Sequence, residues 1–126
     1  MVSIPAKLSG WWRIVDTGTW GSSDIDSEGP ALLSLTGQDD RLRMFVLLAY
    51  VHVKPTKTGA SFTWHGAWEH DQVSGTGTVR LGPDGRLRGR IKIRNGDGST
   101  FVAERAEEPD EPIEDPPSYR DKWRRW

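Results

Sequence analysis

Between residues 75 and 105 apolar and polar positions alternate with almost no interruption. Gly77, Val79 and Leu81 alternate with Thr76, Thr78 and Arg80, and beyond Gly82-Pro83-Asp84-Gly85 the residues Leu87, Gly89, Ile91 and Ile93 alternate with Arg86, Arg88, Arg90, Lys92 and Arg94. A period of two is that of a strand with one face in a core and the other in water. Proline presets a negative φ and glycine accepts the positive φ of tight reversals, so 75–94 and 90–105 read as two adjacent hairpins. The same reading places strands over 11–17, 31–36, 42–53, 60–69, 75–81, 87–94 and 100–105, separated by segments such as Gly37-Gln38-Asp39-Asp40 and Asn95-Gly96-Asp97-Gly98. No 3.6-residue apolar period occurs between residues 10 and 105. The pattern predicts an all-β protein, an antiparallel barrel of seven or eight strands.

The longest irregular segment, 18–30, contains Trp20, Asp24, Asp26 and Glu28, and a connection of that length reads as a lid, a binding loop or the seat of a short helix. Composition changes after Ala106. Residues 1–106 form the predicted β-barrel domain, and 107–126 a tail that is first acidic and proline-rich, then basic and aromatic from Tyr119 to Trp126. The tail is expected to be extended or helical; in a helix Tyr119, Trp123 and Trp126 share one face, a spacing that suits docking on this protomer or on a partner.

A chain of 126 residues suits one domain with a real core, and a net charge of −1 gives no general pull toward nucleic acid or an anionic membrane. With no cysteine, disulfides and thiolate metal sites are excluded. The longest apolar run, Met44 to Val51, has eight residues, too few to span a bilayer. Residues 1–5 lack the regions of a signal peptide, so a cytoplasmic location is expected. Seven tryptophans against two tyrosines and three phenylalanines is an unusual aromatic balance.

Gly10-Trp11-Trp12 at the first strand resembles the Gly-x-Trp opening of the calycin superfamily, the lipocalin-like barrels. The resemblance implies that the tryptophan closes one barrel end and packs against an arginine of the final strand, a role that falls to Arg105. Gly29-Pro30-Ala31, Phe62-Thr63-Trp64-His65-Gly66, Ser74-Gly75-Thr76-Gly77, Asp84-Gly85-Arg86-Leu87-Arg88-Gly89 and Gly96-Asp97-Gly98-Ser99-Thr100-Phe101 together resemble a widespread family of small uncharacterised bacterial proteins. Its members usually read Phe-Ser-Trp-Glu-Gly, so His65 stands where an acidic residue is common. That family brings no established activity.

Strand 60–69 places Phe62, Trp64, Gly66 and Trp68 on one face. Trp64 and Trp68, with Trp12, read either as core or as the lining of a pocket for a small apolar or aromatic ligand; with 42–53 as one strand, Tyr50 and His52 join Met44 on the inner set and supply polar groups to such a pocket. His65, Glu69, His70 and Asp71 are a poor metal set: His65 and Glu69 lie roughly 13 Å apart at about 3.3 Å per residue along a strand, and no metal or other cofactor is expected. His70 and Asp71, at a loop, are the candidates for an acid–base pair. No nucleophile-elbow, phosphate-loop or dinucleotide motif is present.

Arg86, Arg88, Arg90 and Lys92, flanked by Arg80 and Arg94, share one outer face, and like charges across strands call for anions. Three sources stay open: the acidic tail, solvent counter-ions, or an external polyanion or acidic partner; nucleic acid is not expected, because no aromatic side chain interleaves with these cations. Strand 42–53 is apolar on both faces and needs a cover, from the tail, from a second copy in a homodimer, or from another protein. The reading carried forward is a non-catalytic binding module with a Trp-lined interior. The alternative is an interaction or assembly protein using 42–53, the basic hairpin 80–94 and the Tyr119/Trp123/Trp126 tail, and the third is a pocket-shaping isomerase or cyclase.

Overall fold

Across the described residues (4–27, 29–69 and 71–116), the computed structural model has eight antiparallel strands, β1 (Gly10–Thr17), β2 (Leu32–Leu35), β3 (Asp40–Met44), β4 (Leu47–Pro55), β5 (Ala60–Trp68), β6 (Asp71–Leu81), β7 (Leu87–Ile93) and β8 (Gly98–Ala106), with one helical turn, α1 (Ser22–Ile25), between β1 and β2. Each strand pairs with the next, and β1 pairs with β8, so the sheet is a closed barrel. Closure satisfies the hydrogen bonds that sheet edges would leave open. The alternation read from sequence is realised on β6 and β7: Gly77, Val79, Leu87 and Ile91 point inward, and Thr76, Thr78, Arg88, Arg90 and Lys92 are exposed. No helix among the described residues is long and apolar enough to cross a membrane.

The predicted strand 42–53 is corrected to two. β3 ends at Met44, β4 begins at Leu47, and Met44 faces Leu47 across a two-residue turn, Phe45-Val46. Phe45 has φ 57°, a conformation that costs a bulky residue on the order of 1–3 kcal/mol. Two distant contacts hold it there: its N–H donates to the Ile25 carbonyl at 2.8 Å, and its ring meets Trp68 edge-on at 5.4 Å. The turn resets the alternation, so Leu42, Met44, Leu47, Ala49 and Val51 are buried while Tyr50 and His52 leave the interior for the outer wall. The segment 42–53, expected as a two-sided apolar strand in need of a cover, is therefore a hairpin with one buried face.

The interior holds one continuous apolar cluster. Trp12, Trp64, Ile14, Leu33, Leu42, Met44, Leu87 and Ile91 are each 2% exposed or less and belong to one core cluster. On β6 and β7 glycines stand where rings lie flat on the backbone: a Cβ at Gly75 would sit 2.5 Å from Trp64, at Gly77 2.1 Å from Phe62, and at Gly89 2.5 Å from Phe101. Carbon atoms touch at about 3.5–4.0 Å, so not even a methyl group fits between these rings and the wall.

One end is shut by Trp12, whose indole N–H donates to the Leu8 carbonyl at 2.9 Å. The Arg105 guanidinium lies 4.2 Å above the Trp12 ring and donates to the Ser9 and Lys7 carbonyls. This is the tryptophan–arginine closure implied by the Gly-x-Trp resemblance. At the other end the 18–30 loop contributes buried Ile25, and Trp20, 5.6 Å from Trp68.

Beyond β8 the described part of the tail turns back on the barrel. Ile113 is 6% exposed, and Asp115 pairs with Arg41 of β3 at 2.7 Å. Burial lowers the Arg41 pKa, but hydrogen bonds and charge from Asp115 and Asp39 outweigh it and leave the pKa raised. The arginine is thus a permanently charged clasp.

Candidate functional site

The residues expected to form a site divide between inside and outside. Trp12 and Trp64 are core, and Trp68 is half-buried under Trp20 and Phe45. Tyr50 and His52, placed with them by the single-strand reading, stand on the opposite side of the wall. Asp71 is exposed at the first position of β6. His70, Tyr119, Trp123 and Trp126 lie outside the described residues.

The register of β4 to β8 stacks outward side chains into cross-strand rows. Lys54, Ser61, Thr78, Arg90 and Thr100 form one row, and His52, Thr63, Thr76, Lys92 and Gly98 the next. A third begins Arg41, Tyr50, His65 and Ser74, and the Arg94 N–H donates to the Ser74 carbonyl at 2.8 Å. At the other margin Arg80 lies directly opposite Arg88. None of these rows contains a carboxylate.

Three concavities run along this wall. One of about 530 Å³ touches His52, Lys54, Thr63, Thr76, Arg90 and Lys92. Another, about 560 Å³, shares Thr63, Thr76 and Lys92 with it and extends to His65, Ser74 and Arg94. The third, about 530 Å³, shares Arg90 and continues to Arg80, Arg88 and Thr100. Sharing residues, they form one furrow over β5, β6 and β7.

Among the described residues, internal anions pair only with the turn end of the basic hairpin. Arg86 pairs with Glu104 at 3.0 Å, and Arg88 with Asp84 at 2.9 Å. Among the described residues no tail carboxylate pairs with the hairpin; Asp115 is engaged by Arg41 of β3. Lys54, Arg80, Arg90, Lys92 and Arg94 make no ion pair among the described residues. Like charges held on neighbouring strands repel, and exposure to solvent keeps that cost tolerable until an anion arrives.

Aromatic side chains border the furrow on the β4–β5 side. His52 and His65 lie parallel with centroids 5.4 Å apart, Tyr50 is 5.3 Å from His65, and the Arg41 guanidinium covers Tyr50 at 4.3 Å. Along the sequence these cations have no interleaved aromatics, because the rings sit on other strands and come to border the same furrow only through the pairing register. The usable signal was the alternation of Thr63 and His65 with the buried Phe62 and Trp64, which already marks them as outward.

No protein-family model matches the chain, and comparison with curated proteins and with solved structures gives no match. The geometry of the wall therefore carries the functional reading by itself.

Proposed function

We propose that this barrel is a binding module that holds an extended polyanion along the furrow over β5, β6 and β7. One observation carries the reading: a stretch of wall on which, among the described residues, Lys54, Arg80, Arg90, Lys92 and Arg94 make no ion pair while threonine and serine hydroxyls line the floor between them. Hydroxyls and cations in alternation are donors for phosphate-like oxygens. The interior is the weaker candidate, since Trp64, expected to line a pocket, rests directly on Gly75, and its neighbour Phe62 on Gly77.

The test is titration with inorganic polyphosphate, followed calorimetrically. About four cation–phosphate contacts give a log–log salt slope near −3, so affinity falls about 50-fold between 50 and 200 mM salt. Replacing both Arg90 and Lys92 with alanine should roughly halve that slope. Absence of binding at low salt, or binding indifferent to this double substitution, would overturn the proposal. An apolar fluorescent probe, in contrast, should leave the tryptophan emission unchanged.

A further inference from the structure

We infer that the polyanion is single-stranded nucleic acid, with Tyr50, His52 and His65 as the base-stacking edge of the furrow. The inference rests on the polyanion reading above and adds the class of ligand. Three parallel strips make up the wall. The rings of Tyr50, His52 and His65 lie on β4 and β5, the hydroxyls of Ser74, Thr76 and Thr78 on β6, and the cations Arg88, Arg90, Lys92 and Arg94 on and just beyond β7. Adjacent strands are about 4.8 Å apart, so His65 on β5 stands about 10 Å, and Tyr50 and His52 on β4 about 14 Å, from the cations of β7. A chain lying along β6 then meets cations on its phosphate side and aromatic faces on its base side.

Single-strand platforms combine the same elements, a basic track and rings on which bases stack, and histidine and arginine planes serve as well as tyrosine. Arg41, its guanidinium carbon 4.3 Å from the Tyr50 ring centroid and its amino groups held by Asp39 and Asp115, adjoins the stacking edge. From Arg88 to Arg94 the track spans about 20 Å, room for about four to six nucleotides. A duplex fits poorly: reading it calls for an element that enters a groove, and the wall offers a shallow furrow. Protein partners fit poorly as well, because interfaces centre on apolar anchors and every outward side chain from Ser74 to Arg80 and from Arg88 to Arg94 is hydroxyl-bearing or basic.

The experiment compares, on the full chain, fluorescence anisotropy of labelled uridine and thymidine oligomers of about eight nucleotides, a duplex, an acidic peptide, and inorganic polyphosphate of equal charge. Tight binding of either oligomer, about tenfold or more above polyphosphate, supports the inference, and the better of the two identifies RNA or DNA as the source. Tyr50→Ala/His52→Ala/His65→Ala should weaken the oligomer about tenfold or more and leave polyphosphate affinity in place, which also shows that the variant is folded. His65→Ala alone, at an exposed position, should do the same to a smaller degree. An oligomer held no better than polyphosphate, or unaffected by loss of the rings, overturns the inference and leaves the polyanion reading standing. A duplex or acidic peptide bound as tightly as the oligomer overturns it too. If neither oligomer nor polyphosphate binds, both readings fall.

Discussion

Gly77→Ala tests the packing of the barrel interior. Gly77 lies opposite Phe62 on β5 and Ile91 on β7, and its missing side chain points inward. An added Cβ would stand 2.1 Å from Phe62 Cζ and 2.5 and 2.6 Å from its two Cε atoms. Carbons need about 3.5 Å, so the ring, buried at 3% exposure in the core cluster, must retreat by more than an ångström against its packed neighbours. Overpacking of this kind costs about 1–3 kcal/mol, offset by about 0.4–1 kcal/mol because alanine restricts the unfolded chain. A net loss of about 1–2 kcal/mol lowers Tm by about 4–8 °C for a chain of this length.

Thermal and urea denaturation followed by tryptophan fluorescence measure the loss. Combining Gly77→Ala with Phe62→Leu supplies the control. The smaller side chain makes room for the methyl group, so the double variant should be more stable than the sum of the single effects predicts, by about 1 kcal/mol. A Gly77→Ala protein as stable as the parent, or strict additivity in the double variant, would refute the core-packing reasoning and reopen the interior as a ligand site.

Other tests address the closed end and the β2–β3 loop. Arg105→Ala removes the cation above Trp12 and the donors to the Ser9 and Lys7 carbonyls. It should cost about 2 kcal/mol and shift tryptophan emission to the red, with Arg105→Lys only partly restoring the loss since one ammonium cannot reproduce the planar fork; an unchanged urea midpoint counts against this closure. Asp40, 3% exposed, accepts from the Thr36 N–H, the Thr36 hydroxyl and the Gly37 N–H. Asp40→Ala strands these donors and should cost about 3 kcal/mol, with Asp40→Asn intermediate; equal stability of all three proteins would contradict that role.

How much of this was legible depends on the range of the interactions concerned. The β6–β7 hairpin could be read directly, because alternation and the Gly82-to-Gly85 reversal, where Gly85 has φ 82°, are properties of neighbouring residues. The break between β3 and β4 could not be. Phe45-Val46 carries no turn residue, and it turns because Ile25 and Trp68, remote in the chain, hold Phe45 in place. Missing that reversal sent Tyr50 and His52 to the wrong side of the wall, since one reset of a two-residue period exchanges inside for outside along the rest of a strand.

The furrow was half legible in the same sense. That Arg88, Arg90 and Lys92 face outward, as do Thr76 and Thr78, follows from alternation within each strand. That His52, Thr63, Thr76 and Lys92 form a single row follows only from the pairing of four strands. The sequence by itself determined an antiparallel β protein, the outward cations and the aromatic character of the core. Tertiary structure alone decided that the barrel closes on β8, that Phe62 and Trp64 fall on glycines and leave no pocket between them and the wall, and that rings and cations border one furrow. Side-chain direction is a local consequence of backbone geometry, whereas register is settled by contacts summed over the whole core.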